Sequence, residues 1–216
     1  MKALIFANGL TYDGPMSRRV IADAEGALTI AADGGVRVAR DYGVPLQAVI
    51  GDMDSVEAHE LDTLGASGVE ILRYPPEKNE TDLELALMLA AERGADWIRV
   101  LGAMGGRLDQ TLANIYLLAL PALRDRDARL VSDSQQAWLL YPGEHVIQGA
   151  PGDTVSLIPM NGEAHGVQTD KLYYPLRDET LMFGPARGIS NVMDADEARV
   201  SLRSGLLLVV HTLGRA

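Results

Sequence analysis

The sequence has no cysteine, which excludes a disulfide scaffold and a thiolate metal site. Its histidines, His59, His145, His165 and His211, lack metal-ligand spacing. A zinc centre is therefore not expected, and they read as ordinary surface or half-buried residues. Positive charge is scarce: the formal net charge is -11. That argues against nonspecific nucleic-acid binding, and it means an anionic substrate needs metal ions or local Arg and Lys to offset the field. The apolar run in residues 1–7 stops at Asn8-Gly9. It is too short for a signal segment and far too short to span a bilayer, so no membrane association and a cytoplasmic location are expected. Gly-x-x-x-x-Gly-Lys-Ser/Thr is absent, which excludes a P-loop kinase, and residues 102–106 lack the acidic partner of a dinucleotide fingerprint. Gly-x-Ser-x-Gly is absent too. No internal repeat, low-complexity segment or long linker is visible.

What is there can fold. The chain has 216 residues, 47% hydrophobic and 23% charged, enough for one large domain or two small ones. Through residue 132, short apolar runs at 4–7, 28–32, 48–50, 70–74, 97–101 and 128–131 alternate with amphipathic stretches. This pattern predicts an α/β domain with a parallel sheet and right-handed crossovers over 1–132. From 133 to 216 strands outnumber helices, at 137–141, 145–148, 154–159, 172–175, 180–183, 199–202 and 206–211. Pro-Gly, Asn-Gly and Ser-Gly turns punctuate them, which predicts an all-β sandwich. Trp97, Trp138 and Tyr116 read as core.

The chain is organised around Gly51-Asp52-Met53-Asp54-Ser55, which follows the apolar run 48–50 directly. Both carboxylates then emerge at a strand's C-terminal end, where open α/β sheets place ligands. In extended backbone residues 52 and 54 point the same way, and their repulsion is relieved by a proton or a cation between them. Mg²⁺, a hard ion that takes oxygen ligands, suits that position. The plainer alternative is an acidic turn. Asn8, Asp33 and Arg107 also lie just past strand ends, and Asp82 and Asp109 lie near helix starts on the same rim. A rim of carboxylates with Lys78 and Arg107 suits a Mg²⁺-bound polyphosphate. Structural alternatives exist: Asp33 and Asp109 as helix caps, Thr81 with Glu84 as a capping box, Ser190-Asn191 as a turn.

Asp33-Gly34-Gly35, Gly51-Asp52-x-Asp54-Ser55, Lys78-x-x-Thr81-Asp82-x-Glu84, Gly105-Gly106-Arg107-x-Asp109 with Asn114, and Gly188-Ile189-Ser190-Asn191 occur in that order. Together they resemble the thiamine pyrophosphokinase (thiamine diphosphokinase) family. The resemblance implies an ATP- and Mg²⁺-binding catalytic α/β domain followed by a thiamine-binding, dimerising β-sandwich. It implies transfer of the β,γ-diphosphoryl group of ATP to the hydroxyl of thiamine, with release of AMP. It also implies a homodimer, with thiamine between the α/β domain of one subunit and the β domain of the other. Asp52, Asp54 and Asp82 would be the Mg²⁺ ligands, and Arg107 and Lys78 would contact the polyphosphate. Asp33, Thr81, Asp109 and Asn114 would line the nucleotide and reaction site with Asn8, and Ser190 and Asn191 would hold the pyrimidine end of thiamine. Two positions depart from the pattern: Asn79 stands where relatives carry Asp, and Gln110 where they often carry His. The rival readings are a diphosphokinase acting on a pterin alcohol and a non-catalytic Mg-nucleotide-binding protein.

Overall fold

The computed structural model describes residues 1–215, which divide into two units, 1–133 and 134–215. In the first, the apolar runs become β1 (Lys2–Phe6), β2 (Leu28–Ala32), β3 (Ala48–Gly51), β4 (Glu70–Arg73), β5 (Trp97–Leu101) and β6 (Asp127–Ser132). Between them lie α1 (Pro15–Asp23), α2 (Gly35–Asp41), α3 (Ala58–Ala66), α4 (Asp82–Glu92) and α5 (Leu108–Leu117). The strands pair in parallel in the order β4-β3-β2-β1-β5-β6. Every residue of β2 and β3 is buried, as expected for strands covered by helices on both faces.

The order turns back at β1, since β2 to β4 lie on one side and β5 and β6 on the other. The crevice outside the carboxyl ends of β1 and β5 is therefore the switch point where such sheets bind ligands. The two strand ends meet backbone to backbone. A Cβ on Gly9 would stand 2.1 Å from the Gly102 carbonyl oxygen. Gly102 has φ +74 and leaves only 2.4 Å between its own Cβ position and the Ala7 oxygen.

Local signals place the helices. Pro15 opens α1, a first-turn position its fixed φ suits. Thr81 caps α4, its Oγ accepting the Glu84 N–H at 3.2 Å. The other two caps considered from sequence do not form. The N-cap positions of α2 and α5 are Gly34 and Arg107, without side-chain cap bonds. Asp33 instead accepts the Ser55 N–H at 3.3 Å, and Asp109 lies one residue inside α5. Tyr116, expected in the core, is 59% exposed on α5. Among the described residues, no helix is long and apolar enough to cross a membrane.

Arg99 on β5 is buried, and it donates to the Asp127 carboxylate at 2.6 Å while its guanidinium stacks 4.3 Å from the Trp97 ring. Burial pulls the Arg99 pKa down to about 10 against the pull of Asp127. Burial works to raise the Asp127 pKa, but Arg129 and Arg99 outweigh it and hold the carboxyl below its ordinary value. Asp127→Ala should cost about 2 kcal/mol in urea unfolding, less than for a fully buried pair because Asp127 is partly exposed. A carboxyl lowered in the fold stabilises above its unfolded pKa. The gap between wild type and variant should therefore hold at neutral pH and close as pH falls below about 4 through the folded value.

The second unit contains β7 (Gln135–Leu140), β8 (Gly143–Gln148), β9 (Thr154–Pro159), β10 (Ala164–Asp170), β11 (Glu179–Leu181), β12 (Asn191–Val192), β13 (Glu197–Leu202) and β14 (Leu207–Thr212). They form two antiparallel sheets, β12-β9-β14-β7 and β11-β10-β13-β8, around a core that includes Trp138, Ile147, Leu157, Val167 and Val209. Two sequence expectations fail here. Residues 172–175 form no strand: Lys171 adopts φ +59 and only Leu172 bridges, to Met193. The strand lies earlier, at β10, whose polar residues and Gly166 at φ +67 hid it. His211, expected at or near the surface, is 1% exposed.

Candidate active site

The carboxyl ends of the central strands enclose a cleft of about 680 Å³ in the first unit, lined by residues from the turns after β1, β2, β3 and β5 and from the start of α4. Asn8, Asp33, Asp54, Lys78, Thr81, Asp82, Arg107 and Asn114 all line it. Of the residues that the sequence reading placed on one rim, Asn8, Asp33, Asp54, Lys78, Asp82 and Arg107 line the cleft, whereas Asp52 and Asp109 are not among its lining residues; Thr81 and Asn114 were expected there from the family resemblance alone.

Three carboxylates converge. Oxygens of Asp33, Asp52 and Asp82 lie within 4.8 Å of one another. Gly51 permits this, because at φ +145 a Cβ there would press to 2.8 Å from Asp82 Oδ1. Asp54 is not in this cluster. The extended backbone expected across residues 52–54 is broken at Met53, which adopts φ +64 and tucks its side chain into the core. Residues 52 and 54 then diverge. Asp54 is exposed on the cleft wall, its Oδ1 accepting the Ser55 hydroxyl at 2.8 Å.

Lys78 stands over the cluster, 91% buried by its neighbours, with Nζ 3.3 Å from Asp52 Oδ2 and 3.0 Å from Asp82 Oδ1. Asp82 Oδ1 is buried, with that ammonium beside it. One ammonium faces three carboxylates, which leaves the site short of positive charge. The pKa shifts agree. Burial raises that of Asp82, and Asp52 and Asp33 add to the rise against the pull of Lys78. For Lys78, burial disfavours the charge, but Asp82 and then Asp52 outweigh it and the pKa is raised. Three converging hard oxygen donors and uncompensated negative charge together fit a Mg²⁺-sized divalent cation.

Arg107 reaches the cleft from the Gly-rich turn after β5, but it is also bound bidentately by Asp109, at 3.1 Å from Nε and 2.6 Å from Nη2. That pairing lowers the Asp109 pKa and raises that of Arg107. Asp109 therefore aims the guanidinium. Asn114 donates to the Ala103 carbonyl at 2.8 Å and fixes the same turn. Arg37 escaped the sequence reading. It lines the cleft and donates to the Gly9 carbonyl at 2.8 Å. Its position on the first turn of α2, just after Asp33-Gly34-Gly35, was the available signal. Ser190 and Asn191 lie in the second unit, where the Ser190 N–H donates to Ser156 Oγ at 3.0 Å and Asn191 is buried.

Comparison with known proteins follows the same division. Residues 22–131 match the family described as "Thiamin pyrophosphokinase, catalytic domain". Residues 144–207 match "Thiamin pyrophosphokinase, vitamin B1 binding domain". The curated thiamine pyrophosphokinase of Bacillus subtilis (strain 168) is 29% identical over 189 residues, covering 87% of this chain and 88% of that protein. The crystal structure of the thiamine pyrophosphokinase from Bacillus subtilis superposes with TM-score 0.84 at 26% identity, covering 99% of each chain. The yeast thiamin pyrophosphokinase structure shares the fold, with TM-score 0.79 at 15% identity over 98% of this chain and 86% of that one.

Proposed function

The chain belongs to the thiamin pyrophosphokinase family, and from that premise we propose how its residues divide the work of the reaction. The reaction transfers the diphosphoryl group of ATP to the hydroxyl of thiamine and gives thiamine diphosphate and AMP. The hydroxyl oxygen bonds to the β-phosphorus, the bond from that phosphorus to the oxygen bridging to the α-phosphate breaks, and AMP leaves with that oxygen. The observation that carries the assignment is the Asp33–Asp52–Asp82 cluster beneath Lys78 at the switch point.

Asp33, Asp52 and Asp82 would hold Mg²⁺, which when bound clamps and neutralises polyphosphate oxygens. Lys78 balances the carboxylates and meets the phosphates as a point charge. Arg107, aimed by Asp109, and Arg37 offset charge on the phosphates and on the departing AMP oxygen. Asn8, Thr81 and Asn114 shape the nucleotide wall. Asp54 belongs neither to the cluster nor to Arg107, so it is the rim carboxylate left to accept the hydroxyl proton. The second unit would bind thiamine around Ser190. A homodimer completes the site: Leu108, Leu112 and Tyr116, 72%, 48% and 59% exposed along one face of α5, form the kind of apolar stripe that subunit contacts cover. A cytoplasmic location, where ATP is held, belongs to the same proposal.

The test is AMP release from Mg-ATP with and without thiamine, on wild type and on Asp54→Ala. Wild type should release AMP only with thiamine. Asp54→Ala should lose about 10²- to 10⁴-fold in turnover, the range for a missing general base, with its Mg²⁺ dependence unchanged. A Mg²⁺ requirement displaced to higher concentration would return Asp54 to the metal. AMP formed with a pterin alcohol and not with thiamine would overturn the acceptor.

A further inference from the structure

The turn that carries Arg107 has little of its own to hold it. Gly105 and Gly106 both take positive φ, +93 and +71, and glycine leaves the backbone freer than any other residue. The Arg107–Asp109 pair does not fix the turn. Its side chains are 72% and 65% exposed and two residues apart, so it joins only the end of the turn to the start of α5. Exposed pairs of this kind hold little.

Support comes from two sides. From α5, Thr111 Oγ accepts the Gly105 N–H at 3.1 Å and donates to the Arg107 carbonyl at 3.2 Å. From the segment after β1, the Tyr12 ring bears on Gly105. A Cβ on Gly105 would stand 2.7 Å from the Tyr12 hydroxyl oxygen and 2.9 Å from its Cε2. Tyr12 is not among the residues that line the cleft, so it touches the turn and not the space enclosed there.

Tyr12 is itself tied down. Its carbonyl accepts the Tyr42 hydroxyl at 2.7 Å and the Gly14 N–H at 3.0 Å. Thr11 Oγ donates to Asp41 at 2.9 Å. Asp41 and Tyr42 close α2, the helix that starts beside Asp33. Direct contacts therefore run from the end of α2 through Tyr12 to the turn before Arg107.

We propose that Tyr12 is a positioning residue for the reaction. Strapped to α2, its ring braces Gly105 and holds the glycine turn in the arrangement that presents Arg107 to the cleft. The inference rests on the role proposed for Arg107 at the polyphosphate.

The experiment is a double-mutant cycle between Tyr12 and Arg107 in the full chain, read by initial rates of thiamine-dependent AMP release. Arg107→Ala should lower kcat/KM for Mg-ATP by about 10²- to 10³-fold, the range for one lost electrostatic donor. Tyr12→Ala should lower it about tenfold, because a misplaced group loses rate without leaving the site, and should leave the KM for thiamine unchanged. Tyr12→Phe keeps the ring and should recover most of that loss. In the Arg107→Ala background, Tyr12→Ala should cost less than about twofold more, because nothing remains for it to position. Tyr42→Phe removes only the hydroxyl that holds the Tyr12 carbonyl. It should show a smaller loss with the same dependence on Arg107, which decides the case even where Tyr12→Ala folds poorly. Losses that add across the cycle would overturn the inference and make Tyr12 a direct nucleotide contact or a plain support of the fold. Full activity in Arg107→Ala would remove Arg107 from the reaction, and the inference with it. Wild type that binds Mg-ATP without releasing AMP would sink the transfer reading alone. The same cycle in calorimetric titrations with Mg-ATP would then decide the inference, coupling supporting it and additivity overturning it.

Discussion

Asp82→Asn should cut thiamine-dependent AMP formation by about 10³-fold, the scale on which removal of one preorganised electrostatic group acts, and yet leave the metal-free protein at least as stable as wild type. Asp82 supplies one of the three converging carboxylates. Without it Lys78 Nζ keeps only Asp52 as an ion-pair partner. The stability half follows from sign. Burial and the neighbouring Asp52 and Asp33 charges raise the Asp82 pKa in the fold. An acid whose folded pKa lies above its unfolded one opposes folding when ionised, so its charge is a cost at neutral pH and the asparagine removes it. Mg²⁺ should reverse the comparison, because a cation that binds only the folded site stabilises by mass action. Melting curves in EDTA and in Mg²⁺ test this directly. Wild type should gain Tm on adding Mg²⁺ and the variant should not. Equal gains in both proteins would move the metal away from Asp82.

The same cluster shows what a sequence can and cannot display. Apolar runs buried on both faces, such as β2 and β3, mark a parallel sheet, and loops after such strands fall on one rim by topology. Asp33, Asp52, Asp82 and Lys78 were therefore recognisable as rim residues. Which carboxylates converge was not, because it turns on one residue: Met53 takes φ +64 and is retained there by its apolar side chain in the core. Extended geometry would have paired Asp52 with Asp54, whereas the turn pairs Asp52 with Asp33 from the neighbouring strand. Arg37 was hidden for a related reason, since its contacts to Gly9 and Asn8 join segments 28 and 29 residues apart. In the β unit, strand β10 was obscured by polar alternation around Gly166. The apolar segment 172–175 looked like a strand, although its aromatic residues serve an exposed surface.

Asp153→Ala should destabilise the β unit by about 3–5 kcal/mol, the cost of removing one partner from a buried pair. Asp153 and His211 have side chains only 6% and 2% exposed, with Nε2 2.8 Å from Oδ2. Gln136 Nε2 lies 3.1 Å from the other ring nitrogen. With Gln136 donating to Nδ1, the ring proton sits on Nε2 and is donated to Asp153. The carboxylate also accepts the N–H of Ala150 at 3.0 Å and of Gly214 at 2.7 Å, so alanine orphans three donors at once. Gly149 closes the pocket: a Cβ there would lie 2.9 Å from Asp153 Oδ2 and 3.0 Å from His211 Nε2, leaving no room for a larger residue. His211→Leu should cost less, about 1–3 kcal/mol, because Asp153 keeps both backbone donors and loses only the ring N–H. Trp97 and Trp138 lie in different units. In a Trp97→Phe background, Trp138 fluorescence therefore follows urea unfolding of the β unit alone. A loss under 1 kcal/mol for Asp153→Ala would mean that water reaches the orphaned donors and that the network is dispensable to the fold. The expected loss, with His211→Leu the milder variant, would make Asp153 the group that ties β14 and the residues after it to the turn before β9.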